Sequence, residues 1–253
     1  MSGLKRLDQL LVEQQLVRSR SRAQRLIRNA RVQLITPDGA RTLTRPAERM
    51  PGDSHLVVLD DPEERYVSRA GLKLEALIAA SGRLDGLTVL DVGQSTGGFS
   101  DCALRHGARR VIGIEVGHGQ LDVDLAADER VTVLEGVNAR RLPDEELVAL
   151  APEGIEAVVM DVSFISQTLI LPELSRLLRP GARLLSLVKP QFELSPAKIA
   201  AGGLVRDTRH YAEVETRLRA ACAECGFEIL LWMASPISGG DGNREFLLHA
   251  RRL

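Results

Sequence analysis

Apolar residues recur along this chain with two different patterns, and the change between them falls near residue 62. Leu7, Leu10, Leu11 and Leu16 fit one side of a short helix. Ala23, Leu26, Ile27 and Ala30 fall at i, i+3, i+4 and i+7 and predict a second helix. Ser19 or Ser21 can cap it, and it should run to about Asn29. Val32-Gln33-Leu34-Ile35, the turn signal Thr36-Pro37-Asp38-Gly39 and β-like segments up to Val57-Val58-Leu59 predict small strands. Residues 60–65 are polar and contain a proline. The expected organisation is an α+β head over 1–62, a linker over 63–67 and a body over 68–253.

In the body, strand-like and helical patterns alternate. Apolar runs at 88–90, 111–114, 131–134, 157–160, 183–188, 229–232 and 246–248 predict seven strands, with Gly107, Gly181 and Gly226 placed to end helices between them. Near-continuous apolar strands separated by helices imply an α/β, Rossmann-like fold, with a mostly parallel sheet covered on both faces. The last two strands are joined by a short glycine-rich loop and should pair antiparallel. In such sheets ligands bind beyond the carboxyl ends of the strands, so chemistry is sought just after each run.

Composition narrows the picture. The 253 residues are 44% hydrophobic and 26% charged, ordinary for a globular protein, and no apolar run approaches the roughly 18–20 residues that span a bilayer. The N-terminus leads into no apolar stretch, so no secretory signal is expected. Three cysteines make no disulfide framework, and a reduced, cytoplasmic setting is expected. The net charge of −1 hides an asymmetry: residues 1–49 hold eleven Lys/Arg against four Asp/Glu, a net +7, leaving −8 on the remainder. Arg20, Arg22, Arg25, Arg28 and Arg31 spread over the arc of the second helix opposite its apolar stripe. Guanidinium groups there would suit phosphates, making the head an RNA clamp; a solvated basic surface is the plain alternative.

The first body strand is followed by Asp91-Val92-Gly93-Gln94-Ser95-Thr96-Gly97-Gly98-Phe99. The spacing Gly-x-x-x-Gly-Gly is not the Gly-x-Gly-x-x-Gly of dinucleotide sites. Glu115 ends the second strand, where an acid can accept both ribose hydroxyls, and Asn138 follows the third, where it could border an adenine or simply form a turn. Together these suit S-adenosylmethionine best, with NAD or no cofactor as the alternatives. Asp161 and Lys189 each follow an apolar strand directly. Lys73 lies near the start of the first body helix and Glu245 at the start of the last strand. A free lysine titrates near about 10.4 and is a poor base at pH 7. Burial and a neighbouring cation can lower it toward roughly 7–8, where it could help deprotonate a hydroxyl. Cys222-Ala223-Glu224-Cys225 lacks a second pair, so helix packing rather than metal binding is expected. None of the five histidines stands out as catalytic. The stretch 191–206 is long for a connection and could cover the site.

Several segments carry a resemblance. Arg6-Leu7-Asp8-Gln9-Leu10-Leu11-Val12, Ser19-Arg20 and Ala23-Gln24-Arg25-Leu26-Ile27 resemble the RNA-binding fold first described in ribosomal protein S-four. Tyr66-Val67-Ser68-Arg69-Ala70-Gly71-Leu72-Lys73-Leu74, Ser95-Thr96-Gly97-Gly98-Phe99, Asp161-Val162-Ser163-Phe164-Ile165-Ser166, Val188-Lys189-Pro190-Gln191-Phe192-Glu193 and Gly242-Asn243-Arg244-Glu245-Phe246 resemble the TlyA family. These are rRNA 2′-O-methyltransferases, often labelled haemolysins, with an FtsJ-like catalytic domain. The resemblance implies a catalytic tetrad of Lys73, Asp161, Lys189 and Glu245. It implies S-adenosylmethionine held by the loop from Asp91 through Gly93, Ser95, Thr96, Gly97, Gly98 and Phe99, by Glu115 and near Asn138. It also implies ribosomal RNA as the partner, cytidine as the target, and Arg6, Arg20, Arg22, Arg25 and Arg28 as its contacts in the head. Glu115 stands where the family usually has Asp, and Gln94 replaces a small residue, which should narrow the cofactor's approach.

Three rival readings stand beside this one. A membrane-lytic haemolysin would need an amphipathic or apolar insertion segment, and none is evident. A non-catalytic RNA-binding protein is disfavoured by the intact tetrad. An NAD-dependent dehydrogenase is disfavoured by the glycine spacing.

Overall fold

The computed structural model describes residues 3–17, 19–61 and 64–253. The chain divides into two compact units, Met1–Arg65 and Tyr66–Leu253. Of the expected boundary, Pro62 and Glu63 lie outside the described residues; Glu64 and Arg65 fall in the first unit, Tyr66 and Val67 in the second.

The first unit runs β1 (Leu4–Arg6), α1 (Leu7–Glu13), α2 (Arg20–Arg28), β2 (Val32–Thr36), β3 (Gly39–Leu43), β4 (Arg49–Pro51) and β5 (Leu56–Val58). β2 pairs antiparallel with β3 and β5, and β1 pairs antiparallel with β4. Ser19 caps α2, its Oγ accepting from Arg22 N at 3.3 Å. The core gathers Leu7, Leu10 and Leu11 from α1, Ala23, Leu26 and Ile27 from α2, and Val32 and Leu43 from the sheet. Two expected stripe members fall outside it. The chain leaves α1 through Gln15 at φ 57°, which turns Leu16 outward and lets Val17 take the buried place. Ala30 lies past the end of α2 with its own φ at 57° and is exposed.

The second unit runs α3 (Ala70–Ser81), β6 (Thr88–Val92), α4 (Gly98–Arg105), β7 (Arg110–Glu115), α5 (Val123–Ala126), β8 (Val131–Glu135), α6 (Asp144–Leu150) and β9 (Ala157–Met160). It continues through α7 (Leu171–Leu177), β10 (Arg183–Val188), α8 (Pro190–Glu193), α9 (Arg209–Glu224), β11 (Phe227–Ala234) and β12 (Phe246–Arg252). Among the described residues these strands form one seven-stranded sheet in the order β11-β12-β10-β9-β6-β7-β8. All neighbours are parallel except β12, which runs antiparallel to β10 and β11. This is the α/β, mostly parallel sheet that the apolar runs imply.

Successive residues on a strand face opposite sides, so each apolar strand supplies two cores. On one face Val89, Val111 and Leu187 pack with Leu74, Leu77 and Ile78 of α3 and with Phe99 and Cys102 of α4. On the other, Leu90, Ile112 and Val188 pack with Leu174 of α7 and with Val214, Leu218 and Cys222 of α9. Gly107 and Gly226 follow helix ends in left-handed conformation, while Gly181 sits in the turn that enters β10. The chain enters the sheet at β6, builds outward through β7 and β8, then returns to β9 on the other side of β6. That reversal opens a crevice at the carboxyl ends of β6 and β9, the usual ligand position in open α/β sheets.

Candidate active site

The loop leaving β6 is shaped by close approach. Gly93 has φ +83°, and a Cβ there would come within 2.7 Å of the Asp161 backbone oxygen. Only glycine lets the β6 and β9 ends meet this closely. Ser95, at φ 48°, donates its backbone N–H to Glu115 Oε2 at 2.8 Å, while Gly117 N donates to Oε1 at 2.8 Å. Glu115 is thus fixed by two backbone donors at the end of β7, and its remaining lone pairs are free for hydroxyl donors. Gly97 precedes α4, and Gly98 packs against residues 68–71, where a Cβ would lie 2.1 Å from Ser68 Oγ.

Asp91 lies under this loop and is fully buried. Its Oδ2 accepts from Ser100 Oγ at 2.7 Å, and its Oδ1 has no hydrogen-bond partner among the described residues. Burial pushes its carboxyl up to about 7, and the nearby Asp161 and Glu115 charges add to the rise, against the Ser100 hydrogen bond. Gln94 does not project over the loop as its size suggests. Its side chain is buried against Gly113, whose missing Cβ leaves the space, and Nε2 donates to Ser100 Oγ at 2.8 Å. The expected narrowing by this side chain is therefore corrected: Gln94 braces Asp91 through Ser100.

The four charged residues at strand and helix ends converge as two ion pairs. Lys189, directly after β10, places Nζ 2.6 Å from Asp161 Oδ1 and 2.9 Å from Ser163 Oγ. Lys73 of α3 pairs with Glu245, which precedes β12, and both are buried. Burial raises the Glu245 carboxyl; Lys73 and Lys189 oppose the rise and Asp161 adds to it. The two pairs therefore sense one another.

Two cavities meet at this point. The larger, about 940 Å³, runs from Gly93, Ser95 and Asp161 past Glu115 to Asn138 and Gln191. The smaller, about 140 Å³, shares Gly93, Ser95, Asp161 and Ser163 and adds Ser68, Thr96, Gly98, Phe99 and Lys189. Asn138 serves its turn as well, accepting from Arg140 N at 3.0 Å. Phe99 is largely core. The Cβ-free Gly93 and the acid Glu115 along one large cavity fit an adenosine carrying a cationic amino-acid tail, with the orphaned Asp91 oxygen buried under the loop. Asp91 itself lines neither cavity.

Some residues here were not singled out from sequence. Ser163 joins the Lys189–Asp161 pair. Phe164 is held at φ 63° with 90% of its surface exposed, its ring 5.0 Å from that of Phe192 at the mouth of the larger cavity. A bulky residue with positive φ is a genuine outlier; Ser163 and Phe164 both lie in the segment Asp161–Ser166 that carries the resemblance, which assigned them no role. The long stretch after Lys189 is pinned: Asn243 accepts from Val205 N at 2.9 Å and donates to Gly203 O at 2.8 Å. Among the described residues no His, Cys, Asp or Glu cluster could hold a metal, and no helix is long and apolar enough to cross a membrane.

In the first unit the arginines are not the open row that helical spacing suggests. Arg6 and Arg20 both reach Asp8, at 3.0 and 2.9 Å, and Arg22 and Arg25 both pair with Glu64. Arg28 is exposed and has no such partner among the described residues.

Residues 66–252 match the FtsJ-like methyltransferase family. The chain is 42% identical to YqxC of Bacillus subtilis (strain 168), over 98% of this chain and 86% of that protein. It is 37% identical to the 16S/23S rRNA (cytidine-2'-O)-methyltransferase TlyA of Mycobacterium tuberculosis (strain CDC 1551 / Oshkosh), over 99% of this chain and 91% of that protein. A solved structure from Streptococcus thermophilus named as a hemolysin superposes with a TM-score of 0.75 at 35% identity, covering 100% of this chain and 90% of that one. With the family match spanning the whole second unit and the relatives extending over both, the chain belongs to the FtsJ-like methyltransferases.

Proposed function

We propose that the protein transfers a methyl group from S-adenosylmethionine to a ribose 2′-hydroxyl, on cytidine, in ribosomal RNA. The observation that carries this reading is the Lys189–Asp161–Ser163 cluster, set where the two cavities meet and backed by the buried Lys73–Glu245 pair. Bound S-adenosylmethionine supplies an electrophilic methyl on a sulfonium. Gly93, Ser95, Gly97, Glu115 and Asn138 would hold it in the larger cavity, with Asp91 beneath as a negative charge toward its ammonium. The 2′-hydroxyl enters beside Lys189. Lys189 would donate to the 2′-oxygen and direct a lone pair at the methyl carbon; as the carbon–oxygen bond forms and the sulfur–carbon bond breaks, the hydroxyl proton would pass to the Asp161 carboxylate. Lys73 and Glu245 hold the surrounding charge in balance. In-line alignment is where such positioning contributes most.

RNA supports the assignment because its 2′-hydroxyl is the group this cluster suits. The exposed Phe164 gives an unstacked base an aromatic face, and a paired target would have to be flipped out at a cost of about a few kcal/mol. In the first unit Arg6, Arg20, Arg22, Arg25 and Arg28 would contact phosphates, and the work would lie in the cytoplasm, where ribosomes are assembled. The test is methyl transfer by the full chain to purified ribosomal subunits with labelled S-adenosylmethionine. A label that protects one ribose linkage from alkaline hydrolysis supports the reading. A label on a base, or none with either subunit, overturns it.

A further inference from the structure

Glu193 closes α8 and is 2% exposed, yet the chemistry above gives it no part. Its Oε1 accepts from Gln167 N at 2.8 Å and its Oε2 from Ser166 Oγ at 2.5 Å. Gln167, also buried, donates from Nε2 to Leu187 O at 2.7 Å and accepts from Ser186 Oγ at 2.8 Å. Ser186 and Leu187 lie on β10, three and two residues before Lys189. From α9, Arg217 donates to the Glu193 backbone oxygen at 2.6 Å. The bonds close a ring: β10, Lys189, α8, Glu193, the 166–167 segment, and β10 again.

We propose that Glu193 is a positioning residue that straps the segment leaving Asp161 to the segment leaving Lys189, and thereby sets the Lys189–Asp161–Ser163 geometry; this rests on the methyl-transfer reading above. Two observations carry it. A buried carboxylate costs free energy unless its oxygens are bonded, and both oxygens here bond to the same short stretch, 166–167. That stretch follows Phe164, whose left-handed backbone is held against its preference and persists only where its surroundings over-determine it. Without the strap, residues 162–165 can relax toward ordinary φ, carrying Ser163 and the Asp161 carboxylate away from Lys189. A displacement of about 1 Å can cost on the order of 100-fold in rate.

Three variants test this in the full chain. Glu193→Ala removes both bonds. Glu193→Gln keeps length and both links, since the amide oxygen accepts from Gln167 N and the amide nitrogen can donate to Ser166 Oγ. Gln167→Met breaks the strap on its other side. Glu193→Ala and Gln167→Met should lower kcat roughly 10- to 100-fold, with KM for ribosomal subunits and affinity for S-adenosylmethionine within about threefold, while Glu193→Gln stays within about threefold of the parent. Wild-type kcat for Glu193→Ala or Gln167→Met, well below their melting temperatures, overturns the proposal. So does a Glu193→Gln variant as slow as Glu193→Ala, because charge rather than linkage would then be at work. If Glu193→Ala fails to fold, Gln167→Met decides the matter by the same kcat. A crystal structure of the soluble variant with S-adenosylhomocysteine reads the geometry without any activity. Lys189 Nζ beyond about 3.5 Å from Asp161 supports the strap, and an unchanged pair overturns it. An inactive parent enzyme with a displaced pair in the variant would count against the RNA substrate and not against the strap.

Discussion

Two sets of ion pairs, one in each unit, are built in opposite ways. Around α2 of the first unit the acids are covered and the cations are not: Asp8 is fully covered while Arg20 keeps half its side-chain surface, and Glu64 is 10% exposed against 40% for Arg22. In the pair between α3 and the start of β12 of the second unit both partners are enclosed, Lys73 at 9% and Glu245 at 3%. A guanidinium paired on its inner side still has N–H groups facing water, so an incoming phosphate can be added without breaking the fold. An enclosed lysine cannot be lent out in that way; it can only act on what is brought to it. In the function proposed, charge that would recruit RNA and charge that would react differ in burial as well as in residue type.

That contrast can be broken from its reactive side first. Lys189→Ala should lower methyl transfer by about 100- to 10,000-fold, the range for losing a positioned proton-handling group, while calorimetry shows affinity for S-adenosylmethionine within a few-fold of the parent. Near-normal turnover would take the reaction away from this pair. Glu245→Leu leaves Lys73 buried without its partner and should cost about 3–5 kcal/mol in urea unfolding. Introducing Lys73→Met as well should restore much of that loss, which an exposed pair would never show.

The recruiting side comes next. Arg22→Glu with Arg25→Glu should weaken RNA binding and flatten the dependence of log affinity on log salt by nearly one unit for each phosphate that is no longer neutralised. The same slope as the parent would mean that this face is merely solvated. If the paired arginines are loans from the fold, Glu64→Ala frees both and should tighten RNA binding. Its stability cost should fall between the roughly 1 kcal/mol of an exposed pair and the roughly 3–5 kcal/mol of a buried one, since Glu64 is 10% exposed and Arg22 40%.

A pH series sharpens the comparison further. Asp91 is an acid whose carboxyl is raised to about 7, so between about pH 4 and 7 the folded chain keeps a proton that the unfolded chain has released. Stability should therefore fall as pH rises through that window. Asp91→Asn should raise the melting temperature of the free protein by several degrees at pH 8 and have little effect near pH 4. If Asp91 acts on the ligand's ammonium from beneath the loop, as proposed, affinity of the parent for S-adenosylmethionine should rise through pH 7 as its carboxylate forms, and the Asn variant should lose that rise. A flat stability difference across pH would show that Asp91 is not protonated in the fold.

Much of the second unit was legible because its signals are local. Apolar runs marked every strand of the second unit, each within four residues of its true ends, and most sharply β9 and β10, since a strand buried on both faces has no polar positions to blur it. The strand ends then pointed to Asp161, Lys189 and Glu115. Smaller elements were harder to read. β1 and β4 are three residues each and exist through mutual pairing, which no period reveals. Leu16 and Ala30 matched the helical stripe but lie beyond the points where the backbone turns left-handed, at Gln15 and at Ala30 itself. Gln94 looked like an obstruction, and only Gly113 on the neighbouring strand shows where its side chain goes.

The amino-acid sequence alone determined the order of elements, the doubly covered sheet, the position of the glycine loop and the placing of Asp161 and Lys189, because these follow from periodicity and from what each strand delivers at its end; Lys73 and Glu245 joined them through the family resemblance. The tertiary structure decided which charge meets which. Lys73 finds Glu245 across 172 residues, and Glu193 reaches back 26 and 27 residues to Gln167 and Ser166. The arginines of α2 turn to Glu64, 39 residues beyond Arg25. Partnership between charges depends on distance and burial in space, and a linear sequence carries neither.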